Sequence, residues 1–89
     1  MAFDYSGKVF VITGAAGGIG AHLAAEFAER GSCIVAVDVN DVRVKDVVAG
    51  LPGSGHTAIA ADLTDRDAIA SVLAQVERAH GRIDVLVPN

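Results

Sequence analysis

Eighty-nine residues, 52% of them hydrophobic and 4% aromatic, with a net charge of −4, bound the chain to a single domain and exclude a disordered or fibrous one. The acidic balance, with both signs scattered and no basic patch, points away from nucleic acid and anionic membranes as partners. No apolar run approaches the ~18–20 residues that span a bilayer, MAFDYSGK lacks the basic and apolar regions of a signal peptide, and Cys33 has no disulfide partner, so a reduced cytoplasm is the expected compartment.

Lys8 to Thr13 reads as a strand. Its continuous run Val9, Phe10, Val11, Ile12 suits a strand covered on both faces. Gly14 to Gly18 is a turn. A helix is predicted from Ile19 to Arg30, with Leu23 and Phe27 on one face and Glu26 and Arg30 as an exposed i, i+4 pair. Gly31 fits the left-handed position that ends it. Cys33 to Val37 is the second strand, with the cysteine as a small buried residue, and Asp38 ends it. Asn40 to Gly50 reads as a short helix on the spacing of Val44, Val47, Val48 and Leu51, although valine is a poor helix former. Leu51 to Gly55 is a loop. Thr57 to Ala61 is a third strand ending at Asp62. Thr64 is the expected N-cap of the next helix, with Asp65 and Asp67 in its first turn. Ile69, Val72, Leu73 and Val76 fall at i, i+3, i+4, i+7. Gly81 stops that helix, and Ile83 to Val87 is the fourth strand.

Strands alternating with helices in the order β-α-β-α-β-α-β imply parallel strands joined by right-handed crossovers. The glycines crowded after strand one have physical reasons. A tight turn uses positive φ, a diphosphate approaches the backbone where no Cβ blocks it, and close helix-on-strand packing favours a missing side chain. The free N–H groups at the helix start, with the macrodipole behind them, suit a pyrophosphate. The common G-x-G-x-x-G spacing is absent. The chain carries Thr13-Gly14-x-x-x-Gly18-x-Gly20, with Gly17 as an extra glycine.

TGAAGGIG resembles the TGxxxGxG turn of the short-chain dehydrogenase/reductase family, and SGKVFVITG resembles that family's first strand. The likeness runs over essentially the whole chain. It implies a Rossmann-type α/β fold, a doubly wound parallel sheet of which residues 1–89 are the N-terminal half, with strand order 3-2-1-4. It also implies that Gly14, Gly17, Gly18, Ile19 and Gly20 hold the pyrophosphate of NAD. Asp38, eighteen residues past Gly20, can accept hydrogen bonds from the ribose hydroxyls and would repel a 2′-phosphate. No arginine precedes Gly18 or directly follows Asp38, and Arg43 lies five residues on, so NAD is expected over NADP. The alternative is that Asp38 only begins a turn. Asp62 and Leu63 end strand three at the carboxyl edge of the sheet, where ligands bind in open α/β folds. The resemblance places Asp62 at the adenine amino group and the Leu63 N–H toward the ring; the alternative is a turn leading into the Thr64 cap. DVLVPN resembles the family's VLVNNAG, with Asn89 at the second Asn, against the adenine-side ribose, and Pro88 in place of the first.

The remaining candidates get plain readings. His22 is expected on an exposed or half-buried helix face, His56 in solvent within a Gly/Ser loop, and His80 near a helix end, with no metal spacing among them. The family's catalytic Ser, Tyr and Lys lie on strand five and the helix after it, past the region that matches here. Tyr5 is the only tyrosine, and with Lys8 it does not match the Tyr-x-x-x-Lys spacing, so no catalytic residue is assigned. The expectation is an NAD-binding portion of an oxidoreductase, inactive by itself, whose complement is a separate or cleaved polypeptide. The alternatives are a non-catalytic dinucleotide-binding module that self-associates through an open sheet edge, and a truncated product with a fold and no function.

Overall fold

A computed structural model describes residues 3–89. Seven elements follow one another: β1 (Val9–Thr13), α1 (Gly18–Glu29), β2 (Cys33–Asp38), α2 (Asp41–Ala49), β3 (Thr57–Ala60), α3 (Arg66–His80) and β4 (Val85–Val87). The strands form one parallel sheet in the order β3-β2-β1-β4. This is the N-terminal half of a Rossmann-type α/β fold.

The apolar runs become two cores because successive side chains of a strand point to opposite faces. Phe10, Ile12, Ile34 and Ala36 face one way and bury against Ala24 and Ala28 of α1 and Val44 of α2. Val9, Val11, Val35, Val37 and Ile59 face the other way, against Val72 and Val76 of α3. The register Phe10↔Ile34 and Val11↔Val35 keeps each set in line across β1 and β2. The chain steps outward from β1 to β3 under α1 and α2, then returns under α3 to pair β4 with β1. The sheet's carboxyl edge between β1 and β4 is therefore the topological switch point, where open α/β sheets bind ligands.

Most element ends move by one or two residues from the sequence reading. Val9 rather than Lys8 opens β1, because the Lys8 N–H turns back to the Tyr5 carbonyl at 3.1 Å. α1 begins at Gly18 and has Arg30 as its C-cap, with Gly31 at φ +95°. Asp38 is the last residue of β2, whereas β3 ends at Ala60, so Asp62 stands beyond its strand. β4 begins at Val85, since Ile83 lies ahead of the paired residues.

Three side-chain expectations change. The N-cap of α3 is Asp65, not Thr64: Asp65 Oδ1 accepts from the Asp67 N–H at 2.9 Å. Thr64 is engaged elsewhere, its hydroxyl donating to Asp62 Oδ1 at 2.7 Å. Cys33 is half-buried at the start of β2 rather than buried. His56 is not simply solvated: its Nδ1 accepts from the Ile34 N–H at 3.0 Å, and its Nε2 lies 2.7 Å from the Pro52 carbonyl. The Glu26–Arg30 pair forms at 2.7 Å, and His22 is exposed on α1.

Candidate functional site

The turn after β1 is built from the backbone outward. Gly14 has φ +63°, the left-handed region that glycine enters without strain. That reversal lets the Ala15 N–H reach the Val37 carbonyl at 3.1 Å and the Gly17 N–H reach the Gly14 carbonyl at 3.2 Å. Gly20 answers a packing demand. A Cβ there would collide with the Gly14 carbonyl oxygen and lie 2.8 Å from Asn89 Nδ2. A Cβ on Gly18, by contrast, meets no protein atom within 4 Å, so nothing in the packing of this chain demands glycine there.

The start of α1 differs from the other two helices. Asn40 caps α2 by accepting from the Arg43 N–H, and Asp65 caps α3. The N-cap of α1 is Gly17, which has no side chain to do this, and the first turn carries no acidic residue. The helical ladder opens with the Ala21 N–H on the Gly17 carbonyl at 2.8 Å. The N–H groups of Gly18, Ile19 and Gly20 precede it, with the macrodipole aligned behind them. Donors of this kind suit an anion.

Asp38 ties β2 to the same turn. Its Oδ2 accepts from the Ala16 N–H at 3.0 Å, and its Oδ1 accepts from the Asn40 N–H at 3.0 Å. An ionised carboxylate has about four acceptor positions, so two remain. Asp62 accepts both from the Thr64 hydroxyl and from the Thr64 N–H, through one oxygen, Oδ1. These two bonds, the hydroxyl first, hold its carboxyl below the usual carboxylate range. Asn89 joins β4 to the turn: its backbone N–H donates to Thr13 Oγ1 at 3.1 Å and its Nδ2 donates to the Gly14 carbonyl at 3.2 Å.

Gly14, Asp38, Asp62, Leu63 and Asn89 come together around a cleft of about 380 Å³ at the carboxyl edge of the sheet. Gly17, Gly18, Ile19 and Gly20 do not line it; they stand beside it at the start of α1. The Ile19 side chain is 71% exposed, which leaves its backbone as the part with chemistry to offer. The group fits a dinucleotide: anion donors at one end, and carboxylates with spare acceptor capacity along an apolar cleft. Among the described residues, no three His, Cys, Asp or Glu side chains gather as they would around a metal ion. Among the described residues, no helix is long and apolar enough to cross a membrane.

Arg43 was not a candidate from sequence, yet its Nη2 donates to the Ala16 carbonyl at 2.9 Å. Its position five residues past Asp38 gave no hint, because only the fold brings α2 back over the glycine turn. Tyr5 lies away from this edge. It precedes β1 and stacks on Phe10 and Phe27.

Comparison with known proteins agrees with the fold. The family model described as short chain dehydrogenase matches residues 8–89. The NAD-dependent glycerol dehydrogenase of Listeria innocua is 38% identical over 84 residues, which cover 94% of this chain and 33% of that protein. The crystal structure of a 3-ketoacyl-(acyl-carrier-protein) reductase from Brucella melitensis complexed with NADH superimposes with a TM-score of 0.87 at 30% identity, covering 92% of this chain and 34% of that one. A metagenomic short-chain oxidoreductase in complex with NADP gives 0.80 at 38% identity, covering 91% and 38%. The chain thus spans about a third of the length of the curated relatives it matches.

Proposed function

The chain belongs to the short chain dehydrogenase family, and from that premise we propose that residues 1–89 form the NAD-binding part of an oxidoreductase that moves hydride between NAD and an alcohol or carbonyl. NAD, when bound, supplies the hydride-accepting ring. The N–H groups of Gly18, Ile19 and Gly20 receive the pyrophosphate, with Gly14 and Gly17 shaping the approach. Asp38 accepts from the ribose hydroxyls with its remaining lone pairs, and its charge disfavours a 2′-phosphate. Asp62, kept ionised, accepts from the adenine amino group, the Leu63 N–H faces the ring, and Asn89 stands against the adenine-side ribose.

One observation carries this reading. Asp38, at the end of β2, binds the Ala16 N–H in the turn that leads into α1, and the start of α1 has no side-chain cap of its own. A cap missing on α1 alone, beside a carboxylate with spare acceptors, is accounted for by a ligand that brings both an anion and hydroxyls.

These residues alone are proposed not to turn over substrate. Their only tyrosine, Tyr5, is packed in an aromatic cluster rather than at the cleft. Hydride transfer then depends on residues outside this stretch that supply a general acid. A second reading has its own support. Leu73 and Leu86 are more than half exposed beside the β4 edge, which favours a module that self-associates through that edge.

Titration calorimetry with NAD tests the site. Gly18→Val and Asp38→Ala should each weaken NAD binding about tenfold or more, the scale of a lost bond to a charged group. The circular dichroism spectrum should stay that of the parent. Unchanged NAD affinity in both variants would remove the site assignment.

A further inference from the structure

Ala16 is held from both sides. Asp38 accepts from its N–H at 3.0 Å, and Arg43 donates to its carbonyl at 2.9 Å. Carboxylate and guanidinium therefore stand one residue's backbone apart. They are not paired with each other: among the described residues, no salt bridge within 4.0 Å involves Arg43. Arg43 is exposed on α2, and a guanidinium carries five N–H donors, of which one is used on Ala16. The remaining fork is free to meet an anion in the planar, bidentate manner that phosphate favours.

Resting on the cofactor site proposed above, we propose that Arg43 is a second determinant of cofactor choice, one that opposes Asp38. A ribose whose hydroxyls meet Asp38 brings its 2′ position close to this guanidinium. Asp38 penalises a 2′-phosphate by repulsion, and Arg43 offsets part of that penalty. Discrimination between NAD and NADP is then a property of the pair. A guanidinium that merely straps the turn through Ala16 would affect both dinucleotides alike, since each uses the same turn.

The test titrates NAD and NADP separately into the full chain as wild type, Arg43→Ala, Arg43→Lys, Asp38→Ala and the Asp38→Ala/Arg43→Ala double variant. Arg43→Ala should raise the Kd for NADP about tenfold more than that for NAD, as expected for one charge-assisted bond, and Arg43→Lys should restore part of the difference as a point charge. Asp38→Ala should gain NADP affinity, and the double variant should lose that gain. Equal weakening of both dinucleotides in Arg43→Ala, or an NADP gain that survives in the double variant, overturns the role of Arg43. In that event the site reading stands as long as wild type binds NAD and Gly18→Val weakens that binding about tenfold or more. A folded wild-type chain that binds neither dinucleotide overturns both.

Discussion

The side-chain amide of Asn89 donates to the carbonyl of Gly14 at 3.2 Å, and this one contact closes the glycine turn against the end of β4. Gly20 packs into the same place, where an added Cβ would collide with the Gly14 carbonyl oxygen. The obstacle is backbone, so it cannot swing aside. Gly20→Ala is expected to cost about 1–3 kcal/mol, the range for overpacking a tight site. Gly18→Ala has open space ahead of it and helical backbone, so it is expected to be neutral or slightly stabilising. Urea unfolding of the two variants against wild type decides. Equal midpoints would mean that the turn is looser than its contacts.

Asp84 fastens the opposite end of β4. Its Oδ2 accepts from the Val9 N–H at 2.8 Å and from Arg82 Nε at 2.8 Å, while its own N–H donates to the Val9 carbonyl at 3.0 Å. The Val9 bond first, then Arg82, holds its carboxyl below the usual range. The folded chain therefore takes up this proton less readily than the unfolded chain. The stabilisation is present in full above the unfolded value, about 3.9, and is lost as pH falls through the lower folded value. Asp84→Ala should be less stable than wild type near neutrality, with the gap narrowing as the pH is taken from about 6 to about 3. A gap constant across that range would show that Asp84 acts through packing and not through its charge.

The caps of α2 and α3 give a third expectation and show where the sequence is ambiguous. Thr64 and Asp65 are adjacent, and either can cap a helix. The choice turns on Asp62, which takes the Thr64 hydroxyl and leaves the cap to Asp65. Asp65→Ala and Asn40→Ala are each expected to lower stability by about 1 kcal/mol. Thr64→Ala should cost less in unfolding but raise the titration midpoint of Asp62 in a carboxyl NMR titration, because its hydroxyl is the larger cause of the depression. An Asp62 midpoint indifferent to Thr64→Ala would contradict that assignment.

Local signals carried most of the fold. The apolar run at Val9–Ile12, the glycine turn and the spacing of Val72 and Val76 are each written in neighbouring residues, and each appears as an element. Contacts between distant residues were not legible. Arg43 reaches Ala16, Asp84 meets Val9, and His56 accepts from Ile34, across sequence separations of 27, 75 and 22 residues. Such pairs exist only after the strands take their order. Asp38 falls between the two cases. Its place at a strand end was readable, but its bond to Ala16 was not, so its role in holding the turn emerges only from the fold.

Ile69 and Leu73 complete the helical stripe with Val72 and Val76, but only half of that stripe is covered. Val72 and Val76 are buried, whereas Ile69 is 40% and Leu73 52% exposed. Across from them Leu86, opposite Val11 in the register, is 59% exposed. Together they flank an apolar groove of about 250 Å³. Among the described residues β4 stands at the edge of the sheet; an apolar face beside such an edge favours association, and a single charge there should suppress it. Leu86→Lys is expected to lower concentration-dependent association in sedimentation velocity and to weaken the fluorescence of a bound apolar dye. Its folding stability should stay within about 0.5 kcal/mol, because a surface side chain is being exchanged. Leu73→Glu, on the helix side of the groove, should act in the same direction. Val42→Lys is the control, since Val42 is 68% exposed on α2, the helix that packs on the other face of the sheet. Association lowered as much by Val42→Lys as by Leu86→Lys would mean that general surface charge, not this groove, governs it.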